Sequence, residues 1–189
     1  YIGGGTPSLI ESKYIVQIME EIKSNFELDK NAEITIEVNP GTVTLEKLED
    51  YNKVGINRLS IGLQSTHEHL LKEIGRIHTY LDFLDTYRFT REAGFENINV
   101  DLMIGLPNQT LAEVQDSIEE IVSMEPEHIS VYSLVLEEGT PLFKKVEEGL
   151  ELPDEELERK MYWTVKRILE ANGYNHYEIS NFAKQGYES

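Results

Sequence analysis

Cysteine is missing altogether from this 189-residue chain. Within it there can be no disulfide, no thiol nucleophile and no thiolate-held metal or cluster. Basic residues are scarce: 17 Lys and Arg stand against 35 Asp and Glu, for a net charge of −18. Binding to nucleic acid or to an anionic membrane rests on clustered cations, so neither partner is expected. Long apolar runs are lacking too. None approaches the roughly 20 residues that cross a bilayer, and no membrane insertion is expected. No charged-then-apolar leader opens the chain, and an acidic surface of this kind fits a cytoplasmic protein. The five histidines, at 67, 69, 78, 128 and 176, are scattered without metal-ligand spacing.

What remains is a globular composition. Apolar residues make up 40% of the chain, enough to build the core of one domain over residues 1–189. Strand-like runs at 34–38, 58–63, 98–103 and 129–132, with a late one at 177–179, alternate with helical stripes. One stripe is Ile15, Ile18, Met19 and Ile22; a second is Val114, Ile118 and Ile121; a third is Met161, Val165 and Leu169. Ser8 with Glu11, Ser65 with Glu68, and Thr110 with Glu113 have capping-box spacing. Pro153-Asp154 opens a further helix, and Gly94 and Gly173 sit where helices stop.

Alternating strands and helices predict parallel βαβ units. In an open doubly wound sheet the central strands are apolar on both faces. Here Ile34, Ile36 and Val38 oppose Thr35 and Glu37; Leu59, Ile61 and Leu63 oppose Ser60, Gly62 and Gln64; Ile98, Val100 and Leu102 oppose Asn99 and Asp101. One apolar and one polar face, three times over, predicts a TIM-like barrel with a polar interior rather than a Rossmann-type sheet.

Glu37, Gln64 and Asp101 fall on the polar faces, at or near strand C-termini, where βα barrels carry their sites. Gly3-Gly4-Gly5 follows a strand in the same way and precedes a helix start. Glycines there let backbone N–H groups approach an anionic or polar group. Taken singly, each feature has a plain structural reading: a tight turn, a paired carboxylate, a buried turn. Together they predict a convergent site for hydroxyl and ammonium groups. A non-redox barrel holding a nucleotide or phosphate remains an alternative on these residues.

Gly3-Gly4-Gly5-Thr6-Pro7-Ser8, Glu37-Val38-Asn39-Pro40, Ser60-Ile61-Gly62-Leu63-Gln64-Ser65 and the run from Asp101 to Thr110 resemble the radical S-adenosylmethionine (SAM) family of oxygen-independent coproporphyrinogen III oxidase. Tyr177-Glu178-Ile179-Ser180-Asn181-Phe182-Ala183 is more similar to the heme chaperone branch than to the oxidase proper. The resemblance implies a partial (β/α)6 barrel, with Gly4, Gly5 and Thr6 at the methionyl end of SAM. It implies that Glu37 contacts SAM, that Gln64 and Asp101 hold the nucleoside, that Arg76 meets the methionyl carboxylate, and that Val135 lies beside the adenine. Heme or a porphyrinogen, and a heme-acceptor protein, are the implied partners. The oxidase reading would make the intact protein an oxidative decarboxylase of coproporphyrinogen III. The family's C-x3-C-x2-C loop, which holds a [4Fe–4S] cluster, has no counterpart here. The expectation is therefore a piece of a longer protein, truncated at both ends and inactive alone.

Overall fold

The computed structural model describes all 189 residues. A 3₁₀ turn at Pro7–Leu9 leads into α1 (Ser12–Asn25), followed by β1 (Thr35–Val38), α2 (Leu45–Lys53), β2 (Arg58–Gln64), α3 (Glu68–Glu73) and α4 (Tyr80–Glu92). Next come β3 (Ile98–Ile104), α5 (Leu111–Ser123), β4 (His128–Ser133), α6 (Pro141–Glu147), α7 (Glu155–Ala171), β5 (Asn175–His176) and β6 (Asn181–Ala183). The six strands form one sheet in the order β1-β2-β3-β4-β6-β5. The first four are parallel neighbours, as βαβ connections require. Ile2 adds a single parallel bridge to Ile36 outside β1. This is a partial TIM-like sheet whose closing pair, β6 and β5, is an antiparallel hairpin rather than two more βα units.

The two strand faces divide as the alternation predicts. Ile36, Val38, Leu59, Ile61, Leu63, Ile98, Val100 and Leu102 are buried against Ile15, Met19, Phe83, Ile118, Met161 and Val165 of the helices. The opposite face is assembled in rows by the parallel register. Glu37, Ser60, Asn99 and His128 stand side by side across β1 to β4, and Gly62, Asp101, Ser130 and Asn181 form the next row across β2, β3, β4 and β6.

Several local expectations need correction. The late strand lies on either side of residues 177–179, which begin the turn between β5 and β6. Ser8 caps nothing: its side chain accepts from the Asn39 N–H and the Thr42 hydroxyl, while α1 has Glu11 at its N-cap position with no side-chain cap bond. Ser65 accepts from the His67 N–H, and α3 starts at His67. The Thr110/Glu113 capping box forms, as does one at Thr79/Asp82 that the spacing analysis passed over. Asp101 sits mid-strand rather than at a strand end.

Candidate functional site

A polar cavity of about 340 Å³ opens on the hydrophilic face of the sheet. Small-molecule sites run from roughly 300 to 1,000 Å³. Its lining includes Gly5, Thr6, Glu37, Asn39, Ser60, Gly62, Gln64, Arg76, Asp101 and Tyr132. Residues separated by up to 127 positions meet there because four adjacent strands and the opening glycine turn share one face.

Glu37 organises the glycine turn. One oxygen accepts from the Tyr1 hydroxyl at 2.9 Å and the other from the Gly4 N–H at 3.1 Å. Gly4 adopts φ 84 and Gly5 φ 73, the left-handed region that glycine enters freely. Asn39 locks the next residues down, donating from its amide to Thr6 Oγ1 (3.2 Å) and from its backbone to Ser8 Oγ (3.2 Å).

Gln64 reaches the cavity through a β-bulge. The register between β2 and β3 shifts after Gly62, so that Gln64 pairs with Leu102. Gln64 has φ 76, a left-handed conformation costing a non-glycine residue about 1–2 kcal/mol. Buried His78 braces the bulge, with Nε2 3.1 Å from the Leu63 carbonyl. The absence of a side chain at Gly62 is used: a Cβ there would lie 3.1 Å from Gln64 Nε2 and 3.2 Å from Asn39 Oδ1.

Arg76 arrives from a helix end. The Gly75 N–H bonds to the Lys72 carbonyl and the Arg76 N–H to the Leu71 carbonyl, a Schellman pair with Gly75 at φ 77. The turn delivers Arg76 into the cavity. Burial pulls its pKa below the usual guanidinium value, opposed by the charge of Asp101.

Asp101 is held by the polar rows. Oδ1 accepts from Asn99 Nδ2 at 2.6 Å and from the Tyr132 hydroxyl at 3.4 Å; Oδ2 accepts from Ser60 Oγ at 3.1 Å. Burial raises its pKa, while Asn99, Ser60, Tyr132 and the more distant Arg58 pull it down. The cavity thus presents acceptors at Glu37 and Asp101, a forked donor at Arg76 and an amide of both kinds at Gln64, which suits a ligand carrying hydroxyl, ammonium and carboxylate groups.

Of the residues singled out in the sequence, Gly5, Thr6, Glu37, Gln64, Arg76 and Asp101 line this cavity. Gly4 stands behind it, bonded to Glu37. Val135 does not join them: it lies just past β4, 77% exposed and outside the lining. Asn39, Ser60, Gly62 and Tyr132 are lining residues that the sequence analysis did not select. Ser60 and Gly62 could have been found by stepping back in twos from Gln64 along β2.

Residues 1–121 match the family model described as the Radical SAM superfamily. The chain belongs to the radical SAM superfamily. Membership implies SAM and a [4Fe–4S] cluster in the intact protein. Among radical SAM relatives, a protein named heme chaperone HemW from Bacillus subtilis (strain 168) is 42% identical over 191 residues, covering 100% of this chain and 50% of that protein. The mitochondrial radical S-adenosyl methionine domain-containing protein 1 of Danio rerio is 40% identical, over 97% of this chain and 42% of its own. Among solved structures, the coproporphyrinogen III oxidase HemN of Escherichia coli superposes with TM-score 0.85 at 26% identity, over 97% of this chain and 42% of that one. The chain therefore spans about half the length of the curated relatives it matches. The donor set of the cavity fits SAM. The cluster has no fit in this segment, since no cysteine is present to ligate it.

Proposed function

We propose that this chain is the SAM-binding part of a radical SAM heme chaperone. The observation that carries the first half is the cavity itself, where Glu37, Gln64, Arg76 and Asp101 converge from three strands and a helix end around an opening glycine turn. The names of the relatives at about 40% identity support the second half.

In this reading Asp101 and Gln64 hold the ribose hydroxyls, and the strained Gln64 backbone fixes the direction of its amide before ligand arrives. The Arg76 guanidinium receives the methionyl carboxylate in a forked pair. Glu37 accepts from the methionyl ammonium while keeping the Gly4 N–H in place. Bound SAM, with a reduced cluster, supplies one-electron chemistry; the residues of this chain bind and orient it.

The test uses the full-length protein with its cluster reconstituted, and S-adenosyl-L-homocysteine as a non-reacting probe in calorimetry. Asp101→Ala is expected to weaken binding about fivefold or more, the worth of a lost buried acceptor. Unchanged affinity would remove Asp101 from the site. Hemin titration then addresses the partner. Stoichiometric hemin binding and its transfer to an apo-protein, without decarboxylation of coproporphyrinogen III, is the expected pattern. The backbone likeness to HemN favours the oxidase as second reading, and formation of vinyl products from coproporphyrinogen III would select it.

A further inference from the structure

Behind Asp101 lies a chain of hydrogen bonds that the binding of a nucleoside does not require. Asn99 Nδ2 donates to Asp101 Oδ1 (2.6 Å) and to Ser60 Oγ (2.7 Å). Asn99 Oδ1 faces His128 Nδ1 at 2.6 Å and accepts from Ser130 Oγ at 3.0 Å. His128 Nε2 is 2.7 Å from the Tyr177 hydroxyl. Asn99 and His128 are 2% and 1% exposed. The order follows from the register, which sets Ser60, Asn99 and His128 in one row across three strands.

The polarity of this chain is fixed from one end. An ionised Asp101 can only accept, so Asn99 must turn its amide nitrogen to it and its carbonyl oxygen to His128. At 2.6 Å two bare lone pairs would repel, so His128 carries its proton on Nδ1 and donates to that oxygen. Its Nε2 is then an acceptor, and the Tyr177 hydroxyl must donate to it. The Tyr177 oxygen keeps a lone pair for the Ser189 N–H at 3.2 Å. A doubly protonated imidazole would reverse the last step. Burial and the nearby Arg58 hold the His128 pKa down at about 3, so the neutral ring persists. The ionisable groups that share its cavity are Arg58 from β2, Tyr132 from its own strand, Tyr177 from the β5–β6 turn and Tyr1 at the start of the chain.

We propose that His128 and Tyr177 are positioning residues for the SAM site, which act through Asn99 to hold Asp101 in its binding orientation and so tie the β5–β6 hairpin to the cavity. The proposal rests on the reading of Asp101 as a SAM ligand. It gives a task to Tyr177, in the segment that resembles the heme chaperone branch, without placing it in the cavity lined by Asp101. His128 and Ser130 hold the Asn99 oxygen together, so loss of the His128 donor leaves Ser130 alone to keep the amide aligned with Asp101.

The experiment again uses the full-length reconstituted protein. His128→Leu removes the donor to Asn99 and is expected to weaken S-adenosyl-L-homocysteine binding about fivefold or more. His128→Asn places an amide nitrogen where Nδ1 stands and is expected to restore affinity to within about twofold of the parent. A purely packing role would not distinguish these two variants in that direction. Tyr177→Phe frees Nε2 of its donor, and ¹⁵N spectra of labelled histidine read the result directly. The parent is expected to show a protonated Nδ1 and an unprotonated Nε2 throughout the range in which an ordinary histidine titrates. Tyr177→Phe is expected to keep that tautomer and to weaken S-adenosyl-L-homocysteine binding about twofold or more, and full affinity in it would remove Tyr177 from the positioning role.

An Nε2-protonated ring in the parent overturns the proposal whatever the binding data say. Full affinity in His128→Leu alongside weakened binding in Asp101→Ala overturns it too and leaves the SAM reading standing. Full affinity in Asp101→Ala removes Asp101 from the SAM site and with it the role of His128, even where the tautomer is as drawn.

Discussion

A methyl group at Gly3 would have to displace the Glu37 carboxylate and the Tyr1 ring. A Cβ there would lie 2.7 Å from Glu37 Oε1 and 2.7 Å from Tyr1 Cε1, closer than real side chains come. Gly4 is the opposite case: nothing stands within 4 Å of its Cβ position, but its φ of +84 strains any L side chain. The two substitutions to alanine should therefore fail differently. Gly3→Ala pushes Glu37 off the Gly4 N–H and is expected to weaken S-adenosyl-L-homocysteine binding about fivefold or more. Gly4→Ala is expected to cost about 1 kcal/mol of stability through its backbone. Calorimetry and thermal melts of the full-length variants separate them; a Gly3→Ala protein with full affinity would show that Glu37 tolerates displacement. Sequence alone marked these glycines but could not assign one to crowding and the other to torsion. Arg76 was less legible still. On the residues alone it reads as an ordinary surface position, and only the family resemblance marked it. Its placement depends on a Schellman turn at Gly75, and no periodicity records that.

Helix starts show how far local spacing carries. Thr110/Glu113 is a capping box because nothing competes for the threonine hydroxyl. Ser8 has the same spacing to Glu11, yet its hydroxyl is fully buried and taken by Asn39 and Thr42. Tertiary partners outbid the local one there, and a single sequence does not reveal them. Strand faces were legible because a period of two survives burial, as Ile36, Ile61 and Val100 show on the core side. The late strand was misplaced because the 177–179 alternation is that of a turn flanked by two short strands. The cap distinction is measurable. At α4, Thr79 accepts from the Asp82 N–H and Asp82 accepts back from the Thr79 N–H. Thr79→Ala is expected to cost about 1 kcal/mol, whereas Glu11→Ala, at a helix start with no side-chain cap, should stay within about 0.5 kcal/mol. Urea titration compares them. Equal losses would mean that the Thr79 box contributes nothing beyond what water supplies.

Across the whole molecule, a net charge of −18 opposes compaction, and the cavity adds a carboxylate that the fold would hold more cheaply as the acid. No helix is long and apolar enough to cross a membrane. Asp101 and His128 respond to acid with opposite signs. Burial raises the Asp101 pKa above its ordinary value. Between those two values the folded state binds more protons than the unfolded one, so stability falls as pH rises through the window, and above it the ionised group remains a cost. For His128 the folded value of about 3 lies below the ordinary 6.5. There the unfolded state binds more protons, and stability is lost as pH falls from 6.5 towards 3. Asp101→Asn removes the first effect and leaves the second. The variant is expected to melt higher than the parent at neutral pH, with the gain shrinking as pH falls towards the ordinary carboxylate range. Melting curves of both proteins across that range check the sign. A variant that melts lower at neutral pH would mean that the bonds from Asn99 and Ser60 hold the anion more firmly than burial disfavours it. A confirmed gain, together with weakened binding of S-adenosyl-L-homocysteine, would mark Asp101 as a residue that costs the fold stability for the sake of the site.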